Sequence, residues 1–131
     1  MTDLTLYVWF PGNAAEALTF YRDVFDGRLE LHTYEEFGRT DGPAEAIAHG
    51  ILGGPVRLYG TDAAGDEPSV SQTGVSMALL GTADPETLTR WFDGLSDGGT
   101  VLDPMQKRPW GSTDGQVVDR FGIRWLIGYE D

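Results

Sequence analysis

Slid along itself by 71 residues, this chain lands landmark on landmark, and no other feature constrains its fold as tightly. Asn13 falls on Asp84, one helix-capping type on another. Phe20-Tyr21 falls on Trp91-Phe92, and Asp26-Gly27 on Asp97-Gly98. Three landmarks of different chemistry agree at one offset, which argues for two copies of one supersecondary unit.

The first copy opens with the apolar run Leu4-Thr5-Leu6-Tyr7-Val8-Trp9-Phe10, ended by Pro11-Gly12. Asn13, with Glu16 three residues on, reads as a capping box. Ala17, Phe20 or Tyr21, and Val24 recur at helical spacing and predict a helix over Ala14–Phe25, stopped by Asp26-Gly27. Strand-like runs follow near 28–34, 44–52 and 56–60, with Gly53-Gly54-Pro55 as the hairpin turn between the last two. The second copy begins with a strand over 73–80. Asp84 caps the next helix and Pro85 suits its first position. Leu88, Trp91, Phe92 and Leu95 make the apolar stripe, and strands follow near 100–106, 115–119 and 123–129.

The order strand, helix, three strands, written twice, predicts an α+β domain of two βαβββ modules. The expected bounds are 4–61 for the first, a polar linker over 62–71, and 72–131 for the second. At 131 residues the whole suits a single domain. In each module the helix stripe covers one face of a mostly antiparallel sheet. The other face is left to curl around a cavity, and two such halves side by side give a cleft between curved sheets, a common place for a small-molecule site.

Charge narrows the partners. Nine basic residues stand against 21 acidic ones, for a net charge of −12. Nucleic acid is therefore not expected, because a duplex-binding surface needs clustered Lys and Arg. With no cysteine, disulfides, thiol nucleophiles and thiolate metal sites are excluded. The start Met1-Thr2-Asp3-Leu4 does not read as a signal peptide, and no apolar run approaches the ~20 residues of a membrane span. A cytoplasmic protein without membrane contact is the expectation.

The opening block Tyr7-Val8-Trp9-Phe10-Pro11-Gly12-Asn13-Ala14-Ala15-Glu16-Ala17-Leu18-Thr19-Phe20-Tyr21 resembles the start of PhnB-like proteins of the vicinal oxygen chelate (glyoxalase/bleomycin resistance/dioxygenase) superfamily. So do Ala48-His49-Gly50, Trp110-Gly111 and the tail Asp119-Arg120-Phe121-Gly122-Ile123-Arg124-Trp125. The resemblance covers nearly the whole chain. It implies paired βαβββ modules, a homodimer, and a small-molecule pocket in an eight-stranded cup. In catalytic members the cup holds a divalent metal on His, Glu or Gln from the first and last strands of each half. There it would act as a Lewis acid on paired substrate oxygens.

Counted from the motifs, the matching positions here are Leu6, Leu58, Ser76 (or Met77) and Leu126, none of them a metal donor of that kind. A one-residue slip would offer Tyr7, Arg57 and Trp125, no better as a set. The reading is a cup with no metal and no other cofactor. Its lining is expected from Leu6, Val8, Phe10, Leu58, Ser76, Arg124 and Leu126, with Ser76 and Arg124 as polar anchors. The competing reading is that these side chains fill a closed core.

His49 matches a histidine common in PhnB-like proteins and could orient a ligand or move a proton. It could equally bond only a neighbour. His32, beside Glu30, Glu35 and Glu36, reads as a solvated strand residue. The resemblance places Trp110, next to Lys107 and Arg108, at the cup's mouth, to stack on a ligand or to plug a sheet edge. Tyr7, Trp9, Phe20, Phe25, Trp91, Phe92 and Trp125 are expected in the core. No catalytic residue is singled out. The sequence has no Gly-x-Ser-x-Gly elbow and no glycine-rich nucleotide loop. That counts against the ubiquinone-related methyltransferase label some relatives carry. The favoured function is metal-independent binding of a small molecule. The alternatives are a metal-dependent isomerase, lyase or dioxygenase, or an accessory domain acting through protein contacts.

Overall fold

A computed structural model describes residues 4–130. The elements run β1 (Leu6–Phe10), α1 (Ala14–Phe25), β2 (Arg28–Thr33), β3 (Ile47–Gly53), β4 (Leu58–Asp62), β5 (Met77–Leu80), α2 (Pro85–Ser96), β6 (Thr100–Lys107), β7 (Ser112–Val118) and β8 (Arg124–Glu130). This is βαβββ twice. The chain divides into two compact units between Val70 and Ser71. The segment after β4 stays with the first unit, because Ala63 N–H donates to the Phe10 carbonyl and Val70 N–H to that of Trp9.

Each unit holds one four-stranded mixed sheet, in the orders β1-β4-β3-β2 and β5-β8-β7-β6. The first and fourth strands of each unit run parallel, and the other pairs are antiparallel. The parallel pairs follow from the crossover through the helix, which returns the chain in the same direction.

In the first unit α1 buries Ala14, Ala17, Leu18, Tyr21 and Phe25. Glycine admits this close packing. A Cβ on Gly60 would stand 2.8 Å from Phe10 Cε2 and 3.2 Å from Leu18 Cδ1, and one on Gly50 would collide with Leu18 Cδ1. Leu18 therefore beds directly on the backbone of β3 and β4. In the second unit α2 buries Leu88, Trp91, Phe92 and Leu95. Val117, Trp125 and Ile127 are buried on its strands.

The helix starts differ from each other. Asp84 caps α2 as its type predicts, its carboxylate accepting from Thr87 N–H at 2.7 Å. Asn13 makes no side-chain cap bond to α1, so the expected capping box is absent. Its place is taken from 49 residues on along the chain: Asp62, at the end of β4, accepts from Ala14 N–H at 2.8 Å with one oxygen and from Ile47 N–H at 2.9 Å with the other. A carboxylate that accepts a backbone donor on each oxygen ties the helix to two strands.

Candidate functional site

Strand register decides which side chains stand on the face away from each helix. In the first sheet Val8 pairs with Gly60 and Leu6 with Leu58. Gly60 looks onto Leu18 of α1, so Leu6, Val8, Phe10 and Leu58 share the helix-facing side. Phe10 is fully buried and Leu58 nearly so. The expectation that these four line an open cup is corrected: they are the floor on which α1 packs. Tyr7 and Trp9, expected in the core, belong to the opposite face, and Trp9 is 40% exposed.

The reversal is one of register. Leu6 pairs with Leu58, and its counterpart at the 71-residue repeat, Met77, pairs with Trp125. Ser76 and Leu126 each stand one residue away from those counterparts, so the positions counted in the two modules fall on opposite faces of their sheets.

In the second sheet the corresponding side chains stand away from the helix. Trp125 and Ile127 are buried on the α2 side, so Arg124 and Leu126 stand on the other face, half-buried, with Gln116 and Ala78 paired to Leu126. Ser76 precedes β5 by one residue, at the alternation that matches this face.

The open face of the first sheet carries a cluster of rings. Tyr7 lies 4.6 Å from Trp9, 5.7 Å from His49 and 6.1 Å from Tyr59 between centroids, and His49 lies 5.6 Å from Tyr59. The Tyr7 hydroxyl and His49 Nδ1 share a hydrogen bond of 3.2 Å, with the histidine tautomer setting which group donates. Burial pushes the Tyr7 phenol up from its ordinary range; Arg39 opposes this and Glu67 adds to it. Tyr7 is thus a phenol at neutral pH, a donor rather than a base. Sequence reasoning singled out His49 but missed its ring partners. The signal was present: three aromatics on strands β1 and β4, all at odd-numbered positions.

His32 is not simply solvated. Its Nε2 contacts Glu30 at 2.9 Å and its Nδ1 contacts Glu36 at 3.1 Å, and Phe37 stacks on the ring at 5.6 Å. Trp110 is 74% exposed in the β6–β7 turn. Of the two cations beside it, Arg108 is spent on Asp103 and Asp114, at 2.7 and 2.8 Å. The pairing of Trp110 with a free Arg108 is therefore not found.

Among the described residues no three His, Asp or Glu side chains gather as a metal site. The open face of the first sheet offers phenols, an indole and one imidazole, a poor donor set for a divalent ion. A separate cavity of about 420 Å³ lies at the start of α1, walled by Asn13, Glu16, Tyr34, Asp41, Glu45 and Asp62, away from the rings.

A sheet covered on one side by one helix and open on the other, built twice in βαβββ order, defines a class of paired-module proteins. The chain belongs to the glyoxalase/bleomycin resistance protein/dioxygenase superfamily, whose family model matches residues 5–127. It is 28% identical to protein YjdN of Escherichia coli over 141 aligned positions, covering 95% of this chain and 92% of that one. It is 31% identical to the uncharacterized Mycobacterium tuberculosis protein Rv0887c, covering 88% and 68%. Among solved structures, PA1353 from Pseudomonas aeruginosa superposes with a TM-score of 0.81 at 28% identity, over 99% of this chain and 98% of that one. The PhnB protein from Bacillus cereus, a putative 3-demethylubiquinone-9 3-methyltransferase, gives 0.80 at 20% identity, over 98% and 99%. The last likeness shows the fold alone.

Proposed function

We propose that this chain binds a flat, aromatic small molecule on the open face of its first sheet, without a resident metal. The observation that carries this is the ring cluster Tyr7, Trp9, His49 and Tyr59, with Trp9 partly exposed. Offset and edge-on rings offer a flat ligand area at low conformational cost. The Tyr7–His49 pair adds one orienting hydrogen bond. The net charge of −12 favours a cationic or neutral ligand over a polyanion.

An NMR titration following the Trp9 indole N–H tests the reading, with acridinium, naphthalene and cyclohexane as probes. Saturable shifts for the two aromatic probes, weakened about tenfold by Trp9→Ala or Tyr59→Ala, are expected. No saturable shift, or equal response to cyclohexane, would sink it. Elemental analysis of the purified protein addresses the metal. One equivalent of a divalent ion, lost with the binding on chelation, would contradict the metal-free reading.

The same donor pair favours a second reading, an enzyme in which Tyr7 and His49 move a proton on a bound substrate. A bell-shaped pH–rate profile abolished by His49→Gln would distinguish it from binding alone. A cytoplasmic homodimer completes the proposal. It rests on the family likeness, and light scattering and a fluorescent fusion test it.

A further inference from the structure

One half-buried guanidinium has an amide as its side-chain partner where four other arginines have carboxylates. Arg22, Arg39, Arg108 and Arg120 each contact an aspartate. Arg124, on the open face of the second sheet, instead donates from Nε to Gln116 Oε1 at 3.1 Å and from Nη2 to the same oxygen. Among the described residues no carboxylate lies within ion-pair distance of it. In a chain with 21 acidic residues, a neutral partner leaves the charge available.

The contact also fixes the amide. A guanidinium only donates, so Oε1 must face Arg124 and the Nε2 hydrogens must point elsewhere. Gln116 occupies the Nε–Nη2 edge of the guanidinium. The Nη1–Nη2 edge, with two parallel N–H donors, and the Gln116 Nε2 hydrogens have no protein partner among the described residues. Leu126 and Ala78 stand beside this pair on the same face.

We propose that Arg124 and Gln116 form a recognition site for the carboxylate of a small organic monoanion, with its carbon skeleton over Leu126 and Ala78. Two parallel N–H donors match the planar carboxylate. One guanidinium balances one negative charge. A phosphate dianion would leave a charge uncompensated in a strongly acidic protein. The site lies wholly in the second module and does not depend on the aromatic-face reading.

The test is a backbone and side-chain NMR titration of the whole chain with benzoate, benzamide and inorganic phosphate. Benzoate is expected to shift the signals of Gln116, Arg124 and Leu126 saturably, and to bind about tenfold more tightly than benzamide or phosphate. Arg124→Gln should remove the benzoate response. Arg124→Lys should weaken it about tenfold, because an ammonium lacks the fork. Gln116→Leu should weaken it several-fold and keeps the comparison open if Arg124→Gln does not fold. Equal binding of benzoate and benzamide overturns the proposal. So does tighter phosphate binding, an unchanged response in Arg124→Lys and Gln116→Leu, or no shifts at these residues. The aromatic-face reading is read at Trp9, so the two fail separately.

Discussion

At the scale of single residues, two buried aspartates each gather several donors, and a histidine reports its surroundings. Asp119 accepts from Phe121 N–H at 2.8 Å, from Ile123 N–H at 3.1 Å and from the Trp125 indole N–H at 2.9 Å, so the tail motif is a carboxylate-centred turn. Asp62, in the first module, instead ties the start of α1 to the start of β3. Asp62→Ala leaves two buried backbone donors without partners and is expected to cost about 3 kcal/mol. Asn13→Ala should cost under about 0.5 kcal/mol, since no cap bond is lost. Urea denaturation of the two variants checks the contrast.

His32 lies above its ordinary 6.5, held there by its hydrogen bonds to Glu36 first and Glu30 second. A raised value means the pairing favours the protonated ring. Its stabilisation is full below 6.5 and fades as pH rises through the folded-state value. An NMR titration should find an elevated midpoint, lowered by Glu36→Gln and less so by Glu30→Gln. A midpoint indifferent to both would show that the pairs are not formed in solution. The pairs are exposed, so a small effect on stability is expected.

At the scale of elements, the helix–sheet contact of the first module depends on glycine where two strands pass under Leu18. Gly60→Ala would force a methyl against the fully buried Phe10 ring and is expected to destabilise by about 1–3 kcal/mol. Gly53→Ala is the control. Its nearest neighbour is the Arg28 guanidinium at 3.8 Å, an ordinary contact, so stability should hold. Equal losses in both would mean that crowding beneath Leu18 does not set the cost, since the entropic part of a Gly→Ala change favours the folded state. Both helices were legible because their stripes and stop signals are local, with a local cap as well at Asp84 of α2; α1 spans the residues its periodicity predicts. The faces of β1 and β4 were not legible from motif counting. The positions counted in the first module, Leu6 and Leu58, are one residue out of step with Ser76 and Leu126 in the second, and pairing alone shows it.

At the scale of the whole molecule, a net charge of −12 makes self-repulsion a general load on the fold. Raising ionic strength from about 0.01 to about 0.15 M shortens the screening length from about 30 to 8 Å. Tm is therefore expected to rise with sodium chloride over that range. A fall would mean that favourable ion pairs such as Arg108 with Asp103 and Asp114 outweigh the repulsion.

The sequence by itself determined the repeated strand–helix–three-strand order and both helices, because periodicity and turn residues act within a few positions of each other, while its motifs carried the resemblance to the superfamily. Tertiary structure decided which face each strand shows, that Asp62 rather than Asn13 caps α1, and that Arg124 meets an amide. Each of these depends on which distant backbone lies alongside. On a strand, a single residue of register carries a side chain from one face to the other.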